Sequence, residues 1–95
     1  MTIRSYRDKV TEAVSQGECP KGFPSDIVKV ARRKLALVEA AKELDDLRSP
    51  PGNKLHALAH GREGQHAIWV NDRVRVCFEW KDGNAENVEI TDYHR

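Results

Sequence analysis

The 95 residues, 39% apolar and 33% charged, describe one ordinary globular domain over residues 1–95 with room for a single modest core. Sixteen basic against fifteen acidic side chains leave a net charge of +1, so any nucleic-acid contact must rest on a local cluster. No apolar stretch approaches the roughly 20 residues that span a bilayer, and the opening MTIRSYRDKV lacks the apolar run of a signal peptide, which points to the cytoplasm.

TIRSY (2–6) alternates as a short first strand does. RDKVTEAVSQG then sets Val10, Ala13 and Val14 on one helical face, with Gly17 as a stop. CPKGFP (19–24), with two prolines and a glycine, reads as a loop. Ser25 as N-cap and Asp26 at the positive end of the dipole open a long helix, SDIVKVARRKLALVEAAKELDDL. Its stripe is Ile27, Ala31, Leu35, Val38, Ala41 and Leu44, and Arg32, Arg33, Glu39, Lys42 and Glu43 face away. RRK (32–34) reads as a solvated helix face rather than a nucleic-acid contact. SPPGN (49–53) ends the helix, because tandem prolines remove donors and clash with the preceding turn.

Beyond this point the period is two. KLHAL (54–58) is a short strand, HGREG (60–64) a loop, and HAIWV, RVRVCFEW and AENVEITDY three further strands. Asn71-Asp72 and Asp82-Gly83 stand where tight hairpin turns need residues tolerant of positive φ. The expected architecture is α+β, with a short N-terminal strand and two helices packed on a small, mainly antiparallel sheet. Two cysteines are too few for a disulfide scaffold, and Cys77 is expected as a small core residue of its strand.

Strand alternation points Val74, Val76, Phe78 and Trp80 to the core and Arg73, Arg75, Cys77 and Glu79 the other way. Two arginines one step apart on an exposed sheet face read either as an anion site or as a solvated face with ion pairs to Glu89. The chain closes on Asp92, Tyr93 and His94. Parity puts Asp92 and His94 on one face and Tyr93 on the other, so all three share a pocket only if the strand end bends. His56 lies on KLHAL. Two histidines, a tyrosine, an aspartate and arginines are the parts of a metal-free ribonuclease, which must deprotonate a ribose 2′-OH, stabilise a five-coordinate phosphate and protonate the leaving 5′-oxygen. Zinc is the competing use of histidine. His56 and His60 stand four apart, but HALAH lacks the glutamate of HExxH and its flanking prolines and glycine disfavour a helix. His60 and His66 read as loop and strand-edge residues without chemistry.

SPPGNKLHAL, GREGQHAIWVNDRVRVCFEW and NVEITDYH resemble the HigB toxins of the RelE superfamily, GraT-like members in particular. The shared motifs are L-R-S-P-P-G-N before KLHAL, V-N-D-x-x-R in the hairpin and V-E-I-x-D-Y-H at the end. The resemblance implies a RelE-like fold and a ribosome-dependent endoribonuclease that cleaves mRNA in the 30S A site and so inhibits translation. It further implies action without metal or other cofactor. The partner would be a HigA-like helix-turn-helix antitoxin, with DNA reached only through that antitoxin and no membrane contact. Carried over by position, His56, Arg75, Asp92, Tyr93 and His94 are the catalytic candidates, Arg75 steadying the scissile phosphate. Arg73, Lys54 and Arg62 are candidates for RNA contact, the last two reading slightly better as solubilising surface residues. The chain departs from some relatives at Asn71, where they carry an arginine, and at Ala59, where they carry a lysine. A slower or more ribosome-reliant nuclease follows from those losses. The rival is a weakly catalytic binding module that acts mainly as the antitoxin's partner in a DNA-binding repressor complex. A third reading is a metal-dependent hydrolase.

Overall fold

The computed structural model describes residues 2–59 and 61–92. Four antiparallel strands form one sheet in the order β1 (His56–Ala57), β2 (Gln65–Trp69), β3 (Val74–Lys81) and β4 (Asn84–Asp92). Two helices, α1 (Lys9–Ser15) and α2 (Val28–Ala40), precede it. The expected α+β architecture is what is observed.

The TIRSY segment makes two isolated parallel bridges to β4, Ile3 to Ala85 and Tyr6 to Val88, rather than a continuous strand. Other groups anchor it: Thr2 Oγ1 donates to the Ala41 carbonyl at 2.6 Å, and Glu39 Oε1 accepts from the Ile3 amide. One further β4 edge amide, that of Ile90, donates to Thr11 Oγ1 on α1 at 2.9 Å. The outer edge of β4 is thereby covered, which removes a template for edge-to-edge association.

In α1 the buried pair is Thr11 and Val14, with Val10 turned out at 44% exposure. The expected stripe through Val10 is therefore displaced by one position, because the Thr11 hydroxyl is needed by β4. Asp8 is the N-cap, its side chain accepting from the Thr11 amide.

The second helix is shorter than its apolar stripe. It begins at Val28 without a side-chain cap, so Ser25 does not cap it, and it ends at Ala40. Asp46 Oδ2 accepts from the amides of Lys42 and Glu43, which breaks the α-helical ladder and starts a 3-10 turn at Leu44–Arg48. A second 3-10 turn, Pro51–Asn53, follows. Ala41 and Leu47 stay buried, so the apolar pattern survives the change of helix type.

Val74, Val76 and Phe78 join Ile68 and Val88 beneath α2, whose Ala31, Leu35 and Val38 complete the core. The chain also buries a lysine. Lys34 Nζ donates to Asn53 Oδ1 at 2.6 Å, and Asn53 Nδ2 donates to the carbonyls of Leu47 and Ser49. Burial, and then the neighbouring Arg33 charge, hold the Lys34 pKa below the usual lysine value. Asn53 therefore staples α2 to the segment that leads into Lys54 and β1. Asn53→Ala leaves a buried ammonium and two carbonyls without their partner, and is expected to cost roughly 3 kcal/mol in urea unfolding.

Candidate active site

The two faces of the sheet differ in kind. One packs on the helices; the other carries two cross-strand rows of functional groups. Pairing sets Trp69 opposite Arg75 and Arg75 opposite Thr91. The next row runs His56, Ala67, Cys77, Glu89. Directly paired residues share a sheet face, so His56, Trp69 and Arg75 stand on the face away from the helices.

This register depends on the first hairpin. A two-residue Asn71-Asp72 turn would pair Trp69 with Val74. Instead Val70 donates to the Val74 carbonyl, and Asn71 Oδ1 accepts from the amides of Arg73 (2.8 Å) and Val74 (2.7 Å). The side-chain cap draws Arg73 into the loop, which needs no positive φ at residues 71 or 72. The Asp82-Gly83 turn is as expected, both residues having positive φ and joining Lys81 to Asn84.

The paired arginines of the exposed face are accordingly corrected. Arg73 lies in the loop and lines a cleft on the helix side with Pro24, Asp26, Ile27, Asn71 and Asp92. Arg75 is on the other face and only 9% exposed. Its Nη1 donates to the carbonyls of Asn71 (2.6 Å) and Val74 (3.3 Å), and its Nη2 to that of Asp72 (3.1 Å). Its guanidinium carbon lies 4.0 Å from the centre of the Trp69 ring. The Lys54 ammonium approaches the same indole from the β1 side, at 4.5 Å.

Lys54 has a left-handed backbone (φ 49°, ψ 50°) at the end of the 3-10 turn. Its carbonyl lies 2.9 Å from Nδ1 of the exposed His56. A carbonyl only accepts, so Nδ1 carries the proton and, in the neutral ring, Nε2 keeps its lone pair for solvent or substrate. Such a nitrogen is suited to general-base work.

Glu89 does not pair with Arg73 or Arg75. It is gripped by Arg62 from the β1–β2 loop and lies 3.8 Å from Arg7. The Arg62 charge is thus engaged within the molecule. Asp92 pairs with Val74 on the helix side, away from the row that holds Arg75. His56, Arg75 and Lys54 are brought together; Arg73 and Asp92 share a separate cleft. Tyr93, His94 and His60 lie outside the described residues. Trp69 is the residue that sequence patterning missed: its place opposite Arg75 follows from the capped loop, for which the strong Asx-capping habit of asparagine was the available signal.

A family model described as the RelE-like toxin HigB of type II toxin–antitoxin systems matches residues 4–94. The chain belongs to this HigB-like family. Toxin HigB-1 of Vibrio cholerae serotype O1 is 40% identical over 68 residues, covering 72% of each chain. Endoribonuclease HigB of Proteus vulgaris is 28% identical over 92 residues, covering 97% of this chain and 99% of its own. An uncharacterised Haemophilus influenzae protein is 32% identical over 78% of this chain and 73% of its own. A HigB-like toxin of a type II system implies an antitoxin partner. Among the described residues, no helix of this toxin is long and apolar enough to cross a membrane.

The other described imidazole of the sheet lies on the opposite face from His56. His66 pairs with Phe78 on the helix-side face, ring centres 6.2 Å apart. Burial lowers its pKa from the usual 6.5. The unfolded chain therefore takes up the proton first as pH falls. Stability is lost from about pH 6.5 down to the lower folded-state value. In urea unfolding between pH 7 and 5, His66→Gln is expected to show a shallower loss than wild type.

Proposed function

We propose that this toxin is a ribosome-dependent endoribonuclease. It cleaves mRNA in the A site by attack of a ribose 2′-OH on the adjacent phosphodiester, without metal, leaving a 2′,3′-cyclic phosphate and a 5′-hydroxyl. The observation that carries the reading is the meeting of an imidazole with a free Nε2 and a cationic row on one sheet face, in a chain of the HigB-like family. The endoribonuclease name of the Proteus vulgaris relative supports the same reaction.

In this mechanism His56 Nε2 takes the 2′-OH proton. His56 and Arg75 lie two strands and one row apart, so their Cα atoms are separated by about 12 Å. The Arg75 side chain leans back over β2 onto Trp69, which brings the guanidinium toward the His56 side of the sheet. The charge of Arg75, aided by Lys54, stabilises the phosphorane. The proton for the 5′-oxygen comes from the closing D-Y-H, with His94 as the acid and Tyr93 stacking on a base or sharing the proton work. Asp92 orients a neighbour, and Arg73 and Arg62 are outlying RNA contacts. The near-neutral net charge is compatible with a nuclease oriented by ribosomal RNA and needing only a local cation row. A HigA-like helix-turn-helix antitoxin holds the toxin inactive, in the cytoplasm.

One observation favours the second reading, a weakly catalytic module that serves its antitoxin in a DNA-binding repressor complex. Three donor contacts of Arg75 go to backbone carbonyls of its own turn, which limits what it can offer a phosphate.

Cleavage of ribosome-bound mRNA separates the two. His56→Ala, His94→Ala and Arg75→Ala are each expected to lose on the order of 10²-fold in rate. Because Arg75 also braces its turn, thermal unfolding of Arg75→Ala and Arg75→Lys is read alongside. Wild-type rates in both histidine variants remove the proton-transfer assignment. Growth arrest on expression without antitoxin, lost in Arg75→Ala, supports the nuclease; no arrest from the wild-type protein favours the binding module.

A further inference from the structure

Trp69 is approached by both cations of the proposed site. Arg75 reaches it from β3 and Lys54 from the β1 side, at 4.0 and 4.5 Å from the ring centre. Two like charges at one ring repel. An indole between them offers each cation the negative face of its quadrupole and so holds both in place. The second link runs through Lys54, whose carbonyl accepts from His56 Nδ1–H. Anything that fixes Lys54 therefore also fixes the imidazole tautomer.

We propose that Trp69 is a positioning residue that couples the guanidinium of Arg75 to the ring of His56 through Lys54. The proposal rests on the nuclease reading for its kinetic consequence, but the coupling itself is a property of the unliganded protein. Three features of the site support it. Lys54 adopts a left-handed backbone that L side chains rarely adopt, so its side-chain contact on Trp69 helps to hold an otherwise costly conformation. The guanidinium of Arg75 is edge-bonded to carbonyls, which leaves its flat face as the surface that stacking must orient. Trp69 is only half-buried, and the core beneath α2 is on the opposite side of the sheet. Its aromatic character is thus not demanded by core packing.

Trp69→Leu and Trp69→Phe separate aromaticity from bulk. Trp69→Leu fills much of the space but has no π-face; Trp69→Phe keeps one. In nitrogen-15 spectra of the isolated protein, His56 of wild type and Trp69→Phe is expected to show a protonated Nδ1 and an unprotonated Nε2 at alkaline pH. In Trp69→Leu the ring is expected to relax to a mixture in which Nε2 also carries the proton, and the Lys54 Hε resonances to lose their ring-current shift. On ribosome-bound mRNA, kcat of Trp69→Leu is expected to fall about tenfold with a smaller change in KM, and Trp69→Phe to recover most of it. A wild-type His56 tautomer in Trp69→Leu overturns the proposal, as does an equal loss of kcat in both variants. Should wild-type protein cleave no mRNA, the nuclease reading fails separately, while the His56 nitrogen shifts still decide the coupling.

Discussion

The capped loop between β2 and β3 is the constraint on which the functional face depends. Asn71 takes two amides with its side chain, and Arg75 closes the same loop from outside by donating to the carbonyls of Asn71, Asp72 and Val74. A single-residue change of register reverses every side chain between the two faces of a sheet. With one residue fewer in this loop, Trp69 would oppose Val74 and turn toward the helices. The loop thus decides more than local geometry. It determines that an aromatic ring and an arginine meet on the open face while Ile68, Val76 and Phe78 remain in the core.

That division explains how a chain of net charge +1 builds a cationic surface. Arg75 shares a row with neutral Trp69 and Thr91, and Lys54 lies against the same indole, whereas Glu89, one row away, is engaged by Arg62 and Arg7. The acidic residue of the adjacent row is thus paired with cations from two other segments. On the helix side, Arg73 shares its cleft with Asp26 and Asp92, so positive potential is diluted there. Local pairing, rather than total charge, sets the contrast between the faces.

Much of the fold was legible because it rests on periodicity: four strand segments, the Asp82-Gly83 turn and most of the α2 stripe are recoverable from alternation and turn chemistry. The misses have a common cause. The Thr11 hydroxyl, the Asp46 carboxylate and the Asn71 amide group each capture backbone amides and so move a helix face, end a helix or lengthen a loop. Asp46 and Asn71 act within four residues, where their capping habit was a local signal, whereas Thr11 meets an amide brought to it by tertiary contact, which no local pattern encodes. The Lys34–Asn53 bond spans 19 residues and was invisible for the same reason. At the site, His56 and Arg75 were named from resemblance to a family and Lys54 as part of a local basic patch; the grouping around Trp69 could not be, since it follows from the loop register.

Arg75 poses a physical trade-off. A guanidinium whose donors are satisfied by the loop gains rigidity and loses freedom to follow a substrate. For a transition state that gains charge, rigidity is the more useful property, because a fixed cation stabilises a phosphorane without reorganising at the moment of reaction. Its edge bonds need not be surrendered for that: a buried positive charge acts through space over several ångströms, and more strongly where water is excluded. Under the proposed nuclease mechanism Lys54 complements it, being exposed and so placed to make the direct contact. One fixed and one reachable cation, held on two flanks of the same ring, divide between them what two equally mobile arginines on an open strand would do less well.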